Sequence, residues 1–268
     1  MSENNKRAIG IFDSGIGGLT IAHSINKMLP QEHLIYFGDT AHLPYGEKSA
    51  DAIKYYSLKI SKFLMDLDCK MIVIACNSAS TAAYETLLEF YEGKILFANV
   101  VDPLVENVIE KNYKNIGLIA TKATVNSNVY KNKIKSLNQR ITFTQMATPL
   151  LVPMIEEGFY KGEVSDAIIK QYLDNEAFEN IEVLLLACTH YPLIKDYIEK
   201  FFDYKVDVLD STEVTAQFVK RILSEENLLN DLRTKANEFY VSDYTEGFDS
   251  TAKMFYGEDI NLEVKSIW

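Results

Sequence analysis

Short apolar runs alternate with longer stretches of helical period along almost the whole chain. Residues 8–12, 33–38, 71–75, 94–100, 115–120, 141–147, 183–187, 205–209 and 238–242 read as strands. Helix candidates lie at 18–28, 49–67, 79–91, 103–111, 124–137, 150–157, 163–175, 193–201, 211–225 and 249–256. The strands read as unbroken apolar runs, which predicts burial on both faces and a mainly parallel sheet covered by helices. The predicted fold class is α/β.

An internal repeat divides the pattern in two. Ile9-Gly10-Ile11-Phe12-Asp13-Ser14 resembles Ile116-Gly117-Leu118-Ile119-Ala120-Thr121, an offset of 107, and Val73-Ile74-Ala75-Cys76-Asn77-Ser78 resembles Leu185-Leu186-Ala187-Cys188-Thr189-His190, an offset of 112. Two similar α/β domains with mainly parallel sheets facing across a central cleft are therefore expected. Val101-Asp102-Pro103 marks the start of the second half, because proline favours a helix start, and the repeat ends near Asp210-Ser211. The 58 residues after Asp210 are surplus to it and are expected back on the first half. The predicted organisation is a discontinuous domain, 1–99 plus 210–268, with 100–209 inserted.

Composition narrows the function. The 268 residues carry 27 Lys and Arg against 38 Asp and Glu, a net charge of −11. Such a chain offers no positive field for a phosphate backbone, so nucleic acid is not expected as a ligand. No apolar run reaches the roughly 18 residues of a membrane span, and residues 1–7 lack a secretory leader's apolar core. A cytoplasmic protein with three reduced cysteines, Cys69, Cys76 and Cys188, is expected.

The polar clusters follow predicted strands, where an open α/β sheet binds its ligands. Asp13-Ser14-Gly15-Ile16-Gly17-Gly18 offers a carboxylate, a hydroxyl and a tight turn, but lacks the glycine of a dinucleotide fingerprint and the Gly-Lys of a P-loop. Tight packing explains such glycines as well as an anion nest does. Asp39 is expected to cap a turn, and Pro44-Tyr45-Gly46 reads as a rigid turn that also offers N–H groups and a phenol to a carboxylate. His42 is ambiguous.

Cys76 and Cys188 carry the sharpest signal. A buried cysteine is ordinarily a small hydrophobe, and Cys69, without an equivalent in the second half, reads that way. Two cysteines at matched repeat positions, each opening a polar loop, instead place thiols on opposite walls of one cleft. Opposed thiols suit a redox or metal pair, or two proton-transfer bases on either face of a planar intermediate. Zinc is disfavoured by the missing Cys-X2-Cys pair and only four histidines, a thioredoxin-like pair by the long spacing. For proton chemistry His190 is placed to serve Cys188, Asp13 to serve Cys76, and Glu156 or Glu157 supplies a further carboxylate.

Taken in order, Asp13 to Gly18, Pro44-Tyr45-Gly46, Cys76-Asn77-Ser78, Thr121 to Thr124, Glu156, Cys188-Thr189-His190-Tyr191-Pro192 and Asp210-Ser211 resemble the glutamate racemases of the aspartate/glutamate racemase family. The resemblance runs from about residue 8 to 260. It implies interconversion of L- and D-glutamate without pyridoxal phosphate, metal or nucleotide, in the service of bacterial peptidoglycan. It assigns Cys76 to the Cα proton of D-glutamate and Cys188 to that of L-glutamate, assisted by Asp13 and His190 respectively. Glu156 matches the family's further acidic residue better than Glu157. Ser14, Pro44, Tyr45, Gly46, Asn77, Ser78, Thr121, Thr124 and Thr189 are implied to bind the substrate. Two departures stand out: Ser78 where the family commonly has threonine, and Thr148-Pro149 where it often has Cys-Pro.

Three alternatives accompany this reading. Aspartate racemases share the two-cysteine plan, and selectivity for one methylene rests on contacts that residue counts do not reveal. A two-lobed amino-acid binding module would tolerate loss of either cysteine. A gyrase-binding regulator is disfavoured, since such relatives usually carry an extended N-terminus and seven residues precede the first strand here. Family analogy suggests a homodimer.

Overall fold

A computed structural model describes residues 3–245 and 247–268. The first half runs β1 (Ile9–Asp13), α1 (Leu19–Met28), β2 (Leu34–Gly38), α2 (Ala50–Asp66), β3 (Met71–Ile74), α3 (Asn77–Phe90) and β4 (Leu96–Asn99). The second runs α4 (Val101–Glu110), β5 (Asn115–Ala120), α5 (Lys122–Ser127), α6 (Val129–Leu137), β6 (Thr142–Ala147), α7 (Leu151–Glu156), α8 (Glu163–Leu173), β7 (Val183–Ala187), α9 (Lys195–Phe201) and β8 (Asp207–Asp210). Then follow α10 (Thr212–Glu225), β9 (Glu238–Val241), α11 (Phe248–Tyr256) and β10 (Leu262–Val264).

Two sheets result, ordered β10-β9-β2-β1-β3-β4 and β6-β5-β7-β8, and every pairing in both is parallel. The α/β class read from the strand pattern holds. The repeat shows in the topology as well: β2-β1-β3-β4 and β6-β5-β7-β8 have the same relative order, so Cys76 after β3 and Cys188 after β7 occupy corresponding strand ends. β9 and β10, from the surplus 58 residues, extend the first sheet through β2.

Burial explains the strands. β1, β2, β3 and β7 are buried at every position, as unbroken apolar runs require. Ile9, Leu19 and Ile25 of the first half belong to the same apolar cluster as Ile119, Leu184 and Ile198 of the second. A separate cluster under α4 joins Leu104 and Val108 to Leu118 and Leu185.

Four departures from the sequence pattern have a local physical reason; the other boundaries shift by up to two residues, as where α4 starts at Val101, with Pro103 in its first turn rather than at its head. The helix expected over 124–137 is two, because Asn128 adopts φ +55° between α5 and α6; asparagine tolerates this left-handed geometry better than most residues. Helix α3 begins at Asn77 rather than 79, since the Cys76 thiol accepts the Ala79 N–H and caps the helix. β6 is a half-exposed edge, accepting polar Thr142, Thr144 and Gln145. β10 went unpredicted: three residues on a sheet edge, largely exposed, carry no apolar run.

Candidate functional site

The corresponding strand ends of the two sheets meet around a cavity of about 230 Å³. Of the residues singled out from sequence, Ser14, Pro44, Tyr45, Gly46, Cys76, Asn77, Ser78, Thr121, Glu156, Cys188, Thr189 and His190 line it. Asp13 and Thr124 stand behind its wall, 0% and 1% exposed.

The turn after β1 gets this close to the second half because it lacks side chains. A Cβ on Gly17 would lie 2.5 Å from Cε1 and Nδ1 of His190, and one on Gly18 would lie 2.5 Å from the Asp13 Cβ. Neither glycine has a positive φ, so close approach is what requires them. Gly46 meets the second half likewise, its notional Cβ 2.8 Å from the Thr121 Cβ.

Around Cys76, the thiol donates to Ser14 Oγ at 3.6 Å and accepts from Ala79 N at 3.4 Å. Helix N-termini favour thiolates, yet burial outweighs that here. Burial, with the nearby Asp13 charge second, pushes the Cys76 thiol up to about 12. Asp13 Oδ2 accepts from Gly15 N at 3.0 Å, while Oδ1 is buried without a hydrogen-bond partner among the described residues. Burial raises the Asp13 carboxyl above its usual range, with the His190 charge acting against it. Asp13 therefore reaches Cys76 through its field, and the direct hydrogen bond belongs to Ser14.

Around Cys188 the partner is an imidazole. His190 Nδ1 lies 3.8 Å from the Cys188 sulfur, and Nε2 is 2.8 Å from Glu156 Oε1. Burial disfavours the charged ring, but the hydrogen bonds to Cys188 and Glu156 prevail and hold His190 up to about 10. Both Glu156 and Glu157 are exposed, but Glu156, at the end of α7, sets its carboxylate on His190 and lines the cavity, whereas Glu157 does not line it.

Hydroxyls and amides fill the remaining wall. Ser78 Oγ lies 2.9 Å from Thr121 Oγ1, which in turn is 3.2 Å from Thr124 Oγ1. Tyr45 donates its hydroxyl to Asp39 Oδ2 at 2.6 Å, so the phenol is engaged within the protein. Asp39 does not cap the turn with its side chain; it is fully buried and also accepts from His42 Nδ1 and Ser242 Oγ.

Three contributors, Tyr130, Lys122 and Glu47, went unseen in the sequence. Tyr130 of α6 donates to Asn77 Oδ1 at 2.7 Å, which leaves the buried Asn77 Nδ2 without a protein acceptor among the described residues. Nothing around Tyr130 signals that contact, which joins two elements 53 residues apart. Lys122 and Glu47, paired at 3.3 Å across the mouth, follow Thr121 and Gly46 directly, and the strand-end rule extended by one residue would have found both. Among the described residues no group of His, Cys, Asp and Glu is arranged to hold a metal ion, and no helix is long and apolar enough to cross a membrane.

Similarity to known proteins agrees with this geometry. "Glutamate racemase 3" of Caldanaerobacter subterraneus subsp. tengcongensis is 40% identical over 255 residues, 94% of this chain and 92% of that protein. The crystal structure of glutamate racemase from Francisella tularensis in complex with D-glutamate superposes with a TM-score of 0.91 at 40% identity, covering 98% of both chains. The Thermus thermophilus glutamate racemase, solved in complex with beta-chloro-D-alanine, gives 0.87 at 35% identity over 98% of each chain. Residues 9–219 match the sequence model of the family described as Asp/Glu/Hydantoin racemase. That stretch contains both cysteines, both helpers and every residue of the cavity wall, and the chain belongs to the Asp/Glu/Hydantoin racemase family.

Proposed function

We propose that this protein is a cofactor-independent glutamate racemase working by two bases, Cys76 and Cys188, and supplying D-glutamate for peptidoglycan synthesis. The carrying observation is the pair of buried thiols on corresponding strand ends of two sheets, lining one cavity with unlike proton partners. The similarity to glutamate racemases over more than nine-tenths of the chain supports glutamate over aspartate.

The electrostatics set out one direction of the reaction. His190, held up to about 10, favours its imidazolium form, whose Nδ1 faces the Cys188 sulfur at 3.8 Å. Cys76, pushed up to about 12, carries its proton. Cys188 thiolate takes the Cα proton of L-glutamate, and Cys76 thiol delivers its own to the opposite face, giving D-glutamate. That step leaves Cys76 as the thiolate that D-glutamate requires as base, and the raised Asp13 carboxyl accommodates it by holding a proton rather than a second negative charge. The Asn77 amide N–H, the Ser78–Thr121 hydroxyls, Thr189 and the main chain of Pro44 to Gly46 receive the substrate's carboxylates and ammonium, with Ser14 beside the reacting thiol.

Each turnover uses both faces of the carbon. Cys76→Ser and Cys188→Ser are each expected to lower racemisation by about 10²–10⁴-fold. The assay follows inversion and deuterium entry at Cα from D2O, starting from each enantiomer. Parent-level inversion in either variant would overturn the two-base reading, and exchange into aspartate but not glutamate would reassign the substrate.

The domain division proposed is 1–99 plus 210–268 around 100–209, supported by the strand membership of the two sheets. The protein is further proposed to work in the cytoplasm as a homodimer, the latter tested by light scattering with and without glutamate.

A further inference from the structure

The family match ends at residue 219, yet the segment that follows returns to the substrate loop. β9 lies along β2 with Val241 opposite Gly38, and Ser242 N donates to Gly38 O at 2.9 Å. From there the Ser242 hydroxyl donates to Asp39 Oδ1 at 2.8 Å and accepts the Ala41 N–H at 2.9 Å. Asp243 N donates to Thr40 Oγ1 at 2.9 Å. The same Asp39 carboxylate accepts the Tyr45 hydroxyl and the His42 Nδ1–H. A second anchor lies beyond β10: the edge of the Trp268 indole meets the His42 ring at 4.4 Å between centroids, and His42 stacks on Tyr56 at 4.2 Å.

The Ser242 anchor reaches the cavity in one further contact, from Asp39 to Tyr45, and the Trp268 anchor in two, from His42 to Asp39 and from Asp39 to Tyr45. A buried carboxylate with three donors on it fixes those donors relative to one another. The loop position that the cavity presents is thus set by residues that touch no ligand. Resting on the functional reading above, we propose that Ser242 and Trp268 are positioning residues for the Pro44–Gly46 substrate loop, acting through Asp39 and His42. The unfilled N–H groups of a loop aim at a carboxylate only when its main chain is held, so loosening either anchor weakens binding before it slows proton transfer.

Trp268 is the single tryptophan of the chain, so its emission reports one site. Glutamate titrated into the parent is expected to change that emission saturably, although the indole contacts His42 and Tyr56 rather than the cavity. Ser242→Ala is expected to raise KM for glutamate about three- to ten-fold with kcat within about two-fold, and to shrink the emission change. Ser242→Thr, which keeps the hydroxyl, restores both. Trp268→Ala is expected to raise KM in the same sense, and Trp268→Phe, which keeps an aromatic edge on His42, to recover most of it. A merely structural role would lower the active fraction, and so kcat, with KM fixed. That result, or unchanged KM in Ser242→Ala and Trp268→Ala, overturns the proposal. A parent that does not turn over glutamate overturns the functional reading instead, so the two failures are told apart in one series.

Discussion

At the scale of single residues, the site is organised by unequal treatment of two equal side chains. Cys76 sees burial and a carboxylate, Cys188 an imidazole backed by Glu156. The fold favours the charged form of His190, so its contribution to stability is complete below the ordinary imidazole value of 6.5. That contribution is lost as pH rises through about 10. The parent's melting temperature is therefore expected to fall more between pH 7 and pH 10 than that of His190→Asn; parallel curves would show that the ring is not charged in the fold. Gly17 tests the geometry of the same pair. With His190 Nδ1 2.5 Å from a notional Cβ, Gly17→Ala is expected to displace the ring from Cys188 and cut kcat from L-glutamate by at least about ten-fold. Circular dichroism unchanged alongside full activity would show that the turn yields instead.

At the scale of elements, most of the architecture was written in hydrophobic periodicity, and the misses share a cause. β5 and β7 begin and end where their apolar runs do, because both strands are buried on both faces. β10 has one half-buried and two exposed residues, so no pattern marked it. Asn128 sits inside a stretch of helical period, and periodicity does not register a single residue in the left-handed region. Asn128→Val is expected to cost about 1–2 kcal/mol, the strain of a β-branched side chain at φ +55°; Asn128→Gly is expected to be nearly neutral. Urea melts of the two variants decide it, and equal midpoints would mean that the break between α5 and α6 relocates. Among site residues, those on strand ends were legible because the ends of parallel strands converge. Tyr130, reaching Asn77 from a helix face in the other half, was not.

At the scale of the whole molecule, the two sheets share their largest apolar cluster. Ile9 and Leu19 join Ile119, Leu184 and Tyr191 in one continuous set. A chain whose halves were merely tethered would unfold in two steps. Here calorimetry is expected to show one cooperative transition, with the van't Hoff and calorimetric enthalpies in agreement, and two resolved peaks would place the inter-half contacts outside the cooperative unit.

The unlike helpers of the two thiols also bear on what the reaction's thermodynamics allow. L- and D-glutamate are mirror images, so in an achiral solvent their equilibrium constant is unity and no arrangement of protein atoms alters it. The Haldane relation then binds the two directions: kcat/KM must be equal for the two enantiomers. Whatever advantage the imidazolium beside Cys188 gives to turnover of L-glutamate must return as a proportionate rise in the L-glutamate KM. The chemical asymmetry between the two walls is thereby confined to the saturated enzyme, where it shows only as a difference between paired rates and affinities whose ratio stays fixed.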